Sequence, residues 1–335
     1  VEKQLRQKLG EREIIKIIEN CLDKQPGMPV PFGDDVSGYD VGNRKLAVLK
    51  TDMLVDRTDM PPNMTLWQAA RKAVVMNVSD FAAKGVKPEV VLVSLGLPAK
   101  LSEKDIEQIG KGLNAGAREY DTYIIGGDTN EASDIVISIS VFGVAKKDRI
   151  MLRSGAGPRD LVAVTGSFGR TSSGLKILLD GCEAPAELRE TLVQSVFMPN
   201  ARLQEGLALS HTRAVTACID SSDGLAWSLH EISQASNVGC LIDSIPIAEE
   251  TERFAEINNL DANELALYGG EEYELVMTIK PEQWKHAEVA VQNAGGKLLP
   301  IGKVTHQNQI LLESDAKRVQ IKRVGWEHFR TSRKN

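Results

Sequence analysis

The sequence predicts two α+β units within one chain of 335 residues. Stretches with helical apolar spacing alternate with short apolar strands along the whole length, and that length suffices for two cores. The turn-rich run Met151-Leu152-Arg153-Ser154-Gly155-Ala156-Gly157-Pro158 breaks the alternation after Lys146-Lys147-Asp148. The units are accordingly set at residues 1–148 and 149–335. No short-period repeat is visible, so a solenoid is excluded.

Residues 11–22 carry apolar side chains at helical spacing and stop before Pro26-Gly27. A loop with Pro29, Pro31 and Gly33 leads into Asp34-Asp35. Residues 45–50 read as a strand, and 65–83 as a helix opened by Thr65 and closed near Gly85. A strand over 90–97, a helix from the Ser102 cap to near Tyr120, and strands at 123–126 and 134–144 complete the first unit. In the second, 160–165 is a strand, 166–174 a glycine-serine loop and 174–180 the start of a helix. A helix near 200–211, a strand at 215–220 and a helix at 225–235 follow. Short strands and helices then alternate up to Trp326-Glu327-His328-Phe329.

A net charge of −6, without a basic stripe interleaved with aromatics, argues against a nucleic-acid partner. The basic cluster Arg330-Thr331-Ser332-Arg333-Lys334 reads as a solvated end. The charged start, Val1 to Lys8, has no apolar core and no 18 apolar residues run together, so a soluble cytoplasmic protein without a membrane partner is expected. Cys21, Cys182, Cys218 and Cys240 lack C-x-x-C spacing and are expected to be buried free thiols, not a zinc site or a disulfide framework.

The main functional clue is a recurrence. Asp35, Asp52, Asp80, Asp128, Asp220 and Asp223 each sit where an apolar or small-residue run gives way to a turn. Leu46–Leu49, Tyr123–Ile125 and Val215–Ile219 read as strands that deliver Asp52, Asp128 and Asp220 at their carboxyl ends. A single such aspartate is ordinarily a turn or cap residue. Gathered into one pocket, these carboxylates require compensating cations, and the hard, oxygen-seeking Mg²⁺ that bridges protein carboxylates to phosphates is the natural one.

Other chemistries lack their parts. The run Gly166 to Gly174 follows a strand and opens a helix, so it is a candidate phosphate loop, but neither a Walker A nor a dinucleotide fingerprint is present. Asp220-Ser221-Ser222-Asp223-Gly224 lacks the spacing and closing Glu of a calcium loop. His211, His230, His286, His306 and His328 are scattered singly, which leaves no Ser/His/Asp hydrolase or zinc enzyme.

The combination of Gly33-Asp34-Asp35, Thr51-Asp52, Asn77-Val78-Ser79-Asp80-Phe81-Ala82-Ala83-Lys84-Gly85, Gly126-Gly127-Asp128-Thr129, Arg153-Ser154-Gly155-Ala156, Asp220-Ser221-Ser222-Asp223-Gly224 and Gly269-Gly270-Glu271-Glu272-Tyr273 resembles the thiamine-monophosphate kinases in order and spacing. These belong to the aminoimidazole ribonucleotide synthetase superfamily, and the match runs over roughly residues 10–329. The resemblance implies a two-domain α+β fold that binds ATP in the cleft between domains and forms a homodimer through strands of the N-terminal domain. It implies several Mg²⁺ ions held by Asp35, Thr51, Asp52, Asp80, Asp128, Asp220 and Asp223. It further implies ATP contacts at Gly126, Gly127, Arg153 and Ser222, catalytic roles for Arg153 and Asp80, and thiamine monophosphate contacts at Glu271 and Phe329.

Some positions depart from the bacterial pattern. A His-Phe pair after the Thr-Asp motif is replaced by Asp59-Met60-Pro61-Pro62, which puts Asp59 at a substrate-facing position, and Gly110 replaces an aromatic found near adenine. An archaeal-like branch with a modified substrate wall is implied. The expected reaction is direct in-line phosphorylation of thiamine monophosphate by ATP, the alternatives being another ATP-dependent enzyme of the superfamily or a non-catalytic nucleotide-binding protein.

Overall fold

The computed structural model describes residues 9–314 and 317–329. The charged start and the Arg330–Lys334 cluster lie outside the described residues. The first half holds helices α1 (Glu11–Asn20), α2 (Asp56–Asp59), α3 (Leu66–Lys84) and α4 (Glu103–Glu119), with strands β1 (Ser37–Gly42), β2 (Lys45–Val55), β3 (Pro88–Leu97), β4 (Tyr123–Glu131) and β5 (Val136–Lys146). The second half holds strands β6 (Leu161–Val164), β7 (Val215–Asp220), β8 (Gly239–Ile242), β9 (Leu275–Ile279), β10 (Leu299–Thr305), β11 (Ile310–Ser314) and β12 (Lys317–Gln320). Its helices are α5 (Arg170–Leu179), α6 (Ala186–Phe197), α7 (Leu203–Thr212), α8 (Leu225–Ser236), α9 (Glu249–Asn258), α10 (Ala262–Tyr268) and α11 (Trp284–Asn293).

The first sheet has the order β1-β2-β5-β3-β4, with β3 and β4 parallel and every other pair antiparallel. The second has the order β12-β11-β8-β10-β6-β9-β7, with β8 and β11 its parallel pair. Both are mixed sheets with helices, as an α+β reading requires.

Helix α3 connects the two halves. Its start is a capping box, in which the Thr65 hydroxyl accepts from Gln68 N at 3.2 Å and the Gln68 amide oxygen accepts from Thr65 N at 2.9 Å. Its end is Gly85 in the left-handed region, φ 63°. Between them the sequence is apolar or small on nearly all sides, and almost every residue from Ala69 to Lys84 is buried. The helix packs on the inner face of the first sheet and meets α7 and β7 on its other side, so one continuous core runs through both halves.

Among the described residues, the outer face of the first sheet has no such cover. Leu49, Met53, Leu92, Tyr123, Ile125 and Val144 are all exposed there or along its β4 edge. Among the described residues, no helix is long and apolar enough to cross a membrane.

Several expectations are corrected. Strands β2 and β5 pair without interruption from Lys45–Lys146 to Val55–Val136, so Thr51 and Asp52 lie inside β2 instead of beyond its end. Asp128 likewise lies inside β4, whereas Asp220 ends β7 as expected. Helix α5 begins at Arg170, within the expected loop, and α6 occupies a stretch left unassigned. Cys21 is exposed and Cys182 partly so, while Cys218 and Cys240 are buried thiols.

Candidate active site

The loop at Gly33-Asp34-Asp35, the C-terminal half of α3 and the end of β7 converge where the two halves meet. Asp35, Asp80 and Asp220 are all buried, and each offers a carboxylate oxygen within 4.8 Å of the others. The neighbouring Ser79 donates its hydroxyl proton to Asp220 Oδ2 at 2.6 Å, which ties α3 to β7.

Three basic residues surround the carboxylates. Lys50 Nζ stands 3.1 Å from Asp80 Oδ2 and 3.8 Å from Asp52 Oδ2. Lys84 Nζ stands 2.6 Å from Asp34 Oδ1 and 2.8 Å from Asp35 Oδ2, and it donates to the Cys218 carbonyl at 2.8 Å. Arg153 donates from Nε to Asp35 Oδ1 at 2.6 Å, from Nη1 to the Gly33 carbonyl at 2.8 Å, and from Nη1 to Glu231 at 3.2 Å.

The neighbours split the carboxyl groups electrostatically. Burial alone would raise Asp35, but Lys84 and Arg153 outweigh it and hold the group below the usual range. Burial dominates at Asp80 and pushes it well up, against the pull of Lys50 and with Asp220 and Asp35 adding repulsion. Asp220 is pushed up to about 6, by burial first and by Asp35 next. At Asp80 and Asp220 burial thus outweighs the pull of the neighbouring cations, whereas at Asp35 the cations prevail.

The six-carboxylate pocket foreseen from sequence is narrower in the folded chain. Asp52 borders the cluster only through Lys50. Asp223 lies to one side, 3.7 Å from Arg12 Nη2, and burial pushes it up to about 7. Strand alternation turns Thr51 and Asp128 to the opposite face. The Thr51 hydroxyl donates to the Ile139 carbonyl at 3.0 Å and accepts from Ser140 at 3.1 Å, while Asp128 is exposed, in register with Ser94.

Gly127 has a packing reason of its own, since a Cβ there would stand 1.8 Å from the Val93 carbonyl oxygen on β3. Gly126 lies beside it on β4, and Ser222 is exposed, with its carbonyl accepting from Glu271 N at 2.7 Å.

Apart from the carboxylate cluster, a cavity adjoins the segment that leads into α3. It is lined by Asp59, Met60, Pro61, Leu175, Glu271 and Trp326 among others. Glu271 Oε1 lies 2.5 Å from Nζ of the fully buried Lys72. Asp59 Oδ2 accepts from Val55 N at 2.7 Å, and His328 Nε2 approaches Asp59 Oδ1 at 3.9 Å. Phe329 is 65% exposed and does not line the cavity, where Trp326 supplies the aromatic surface.

The glycine-serine loop already holds a carboxylate where a phosphate would sit. Glu272 Oε1 accepts from Gly169 N at 2.6 Å and Thr171 N at 3.2 Å, which takes two of the donors at the start of α5. Burial pushes this carboxyl up to about 7, against the hydrogen bonds it accepts.

Sequence reasoning did not single out Lys50, Lys72 and Lys84, although spacing carried a signal for two of them. Lys84 lies four residues after Asp80 on one helix face, and Lys50 two residues before Asp52 on one strand face. Lys72 meets Glu271 only through tertiary folding.

Comparison with known proteins assigns the chain to a family. Residues 33–145 match the family model of the AIR synthase related protein N-terminal domain, and residues 157–313 match its C-terminal domain. A thiamine-monophosphate kinase of Nitrosopumilus maritimus is 38% identical over 326 residues, covering 96% of this chain and 99% of that protein. One of Pyrococcus horikoshii is 38% identical over 325 residues, covering 96% and 97%. A solved structure, AaThiL complexed with AMPPCP and TMP, is similar with a TM-score of 0.83 at 28% identity, covering 98% of this chain and 100% of that one. This chain belongs to the AIR synthase related proteins and, among them, to the thiamine-monophosphate kinase family.

Proposed function

We propose that this protein transfers the terminal phosphoryl group of ATP to thiamine monophosphate, yielding ADP and thiamine diphosphate. The observation that carries the proposal is the pair of sites served by one helix. Asp80 on α3 belongs to the carboxylate cluster, while Lys72, two turns earlier, holds Glu271 at the rim of the cavity lined by Asp59 and Trp326. Donor phosphates at the first and a thiamine ring at the second would bring the two phosphate groups together between them.

The cluster suits Mg²⁺, being built of three buried carboxylates whose oxygens lie within 4.8 Å of one another. Asp35, Asp80 and Asp220 would hold the metal, with Asp52 and Asp223 as further candidates at the margin. Bound there, Mg²⁺ neutralises phosphate charge and polarises the transferred group. Thr51 and Asp128 face away and would serve a metal only where a second copy covers the outer face of the first sheet.

The protein's own share is binding and alignment. Arg153 holds Asp35 in place, and its partly exposed guanidinium can share a phosphate oxygen. Gly126, Gly127 and Ser222 remain proposed backbone and hydroxyl contacts for ATP. At the other end Asp59, Glu271 and Trp326, with Phe329 at the margin, would recognise the cationic thiazolium ring. An oxygen of the acceptor phosphate attacks the γ-phosphorus as the bond to the β,γ-bridging oxygen breaks, and ADP leaves. With a second phosphate pKa of about 6, the nucleophile is already ionised near neutrality and needs no histidine base.

We further infer a homodimer, supported by the apolar outer face of the first sheet. ATP as the donor favours a cytoplasmic location. The domain division at 148/149 is supported by the gap between β5, ending at Lys146, and β6, beginning at Leu161. The test is incubation with ATP, Mg²⁺ and thiamine monophosphate. Thiamine diphosphate and ADP in equal amounts support the reading, and ATP hydrolysis without thiamine diphosphate rejects it.

A further inference from the structure

We propose that Lys84 is a tethered cation of the carboxylate cluster, a positioning residue that occupies one edge of Asp35 permanently and so limits how many diffusible cations the site takes. This rests on the reading of Asp35, Asp80 and Asp220 as metal ligands. The Lys84 side chain is fully buried, and its ammonium meets three groups: the Asp34 and Asp35 carboxylates as ion pairs and the Cys218 carbonyl by a hydrogen bond. Those partners come from the 33–35 loop and from β7, while the lysine itself comes from α3. One ammonium therefore joins all three segments that build the cluster.

The other two cations differ. The side chains of Lys50 and Arg153 are 20% and 23% exposed, each more so than the carboxylate it pairs with. They can yield an oxygen to an arriving metal. Lys84, at 0% exposure, is shut off from solvent between its two carboxylates. Asp34 extends its reach, because Asp34 Oδ2 accepts from the Arg153 backbone N–H at 3.0 Å and Asp34 Oδ1 from the Asp35 N–H at 2.8 Å. The Lys84–Asp34 pair thus fixes both the loop and the residue that grips Asp35 from the other side. A metal entering the cluster meets Asp35 with one oxygen already held and one positive charge already present.

The test measures Mn²⁺ binding to the full-length, metal-free protein by electron paramagnetic resonance, without nucleotide. Lys84→Gln retains an amide donor in place of the ammonium but removes its charge. With that repulsion gone, Mn²⁺ is expected to bind at least about tenfold more tightly, or with one additional ion. Asp34→Asn combined with Lys84→Gln restores the charge balance, and its isotherm should return to within about threefold of wild type. Turnover of Lys84→Gln should fall in kcat with the KM for thiamine monophosphate unchanged, since the acceptor cavity is untouched. If Lys84→Gln does not fold without metal, Mn²⁺ should restore its folding transition, because a diffusible cation then takes the tethered one's place. An isotherm identical to or weaker than wild type, or a variant that stays unfolded with saturating Mn²⁺, overturns the proposal. Wild-type Mn²⁺ binding that Asp220→Asn leaves unchanged would instead remove the ligand reading beneath it.

Discussion

Replacing Asp80 by Asn separates a catalytic carboxylate from a structural one, because the amide keeps the shape and loses the charge. The Asp80 carboxylate lies within 4.8 Å of oxygens on both Asp35 and Asp220, and 3.1 Å from Lys50 Nζ. At an effective dielectric of about 20, each repulsion costs about 3 kcal/mol and the Lys50 attraction returns about 5 kcal/mol. These nearly cancel, and the amide avoids burying a charge. The metal-free variant should therefore lie within about 2 kcal/mol of wild type in stability, displaced toward the stable side. Loss of one charge-stabilising group should lower kcat on the order of 100-fold or more. Urea denaturation in EDTA, beside steady-state formation of thiamine diphosphate, measures both quantities. A stability loss above about 3 kcal/mol, with kcat falling only as the folded fraction falls, would make Asp80 part of a structural ion pair and refute the assignment.

Trp326→Ala should raise the KM for thiamine monophosphate by up to about 30-fold, the span of a desolvated cation–π contact, and leave the KM for ATP unchanged; equal changes in both would assign Trp326 to packing. Val144→Glu buries a charge in any interface on the outer sheet face, so light scattering at micromolar concentration should show a dimer for wild type and a monomer for the variant. A wild-type monomer would contradict the dimer. Glu272, pushed up to about 7 in the folded chain, keeps a proton that the unfolded chain loses near its ordinary pKa, so its share of stability falls as pH rises through that window. Glu272→Gln should flatten the difference between denaturation midpoints at pH 5 and pH 7, and an unaltered difference would show that the carboxyl does not titrate there.

Local signals located much of the architecture. Thr65 and Gly85 mark the ends of α3 because a cap and a left-handed terminus are written in residue type, and Ser102 does the same for α4. Strand β1, Ser37–Gly42, carries no such signal, because its residues are mostly polar or glycine and leave no apolar alternation. Strand length was the other failure. Polar Thr51-Asp52 and glycine-rich Gly126-Gly127-Asp128 read as turns, yet the ladders with β5 and β3 carry β2 and β4 through them. That extension decides the site, since alternation then sends Thr51 and Asp52 to opposite faces. Asp35, Asp80 and Asp220 were named from their motifs, but their meeting depends on how α3 lies between the two halves, which local spacing does not encode. The Lys72–Glu271 contact and the capping of α5 by Glu272 are tertiary in the same way.

If the buried carboxylates act through a bound divalent cation in ATP-dependent phosphoryl transfer to thiamine monophosphate, turnover follows that cation. Thiamine diphosphate formation, followed as EDTA removes the metal and Mg²⁺ is returned, reads this dependence. Turnover should fall to background with exhaustive chelation and recover fully on adding Mg²⁺, with no change in secondary structure by circular dichroism. Turnover that persists after chelation, or that fails to return with Mg²⁺ while the fold is intact, would contradict that dependence.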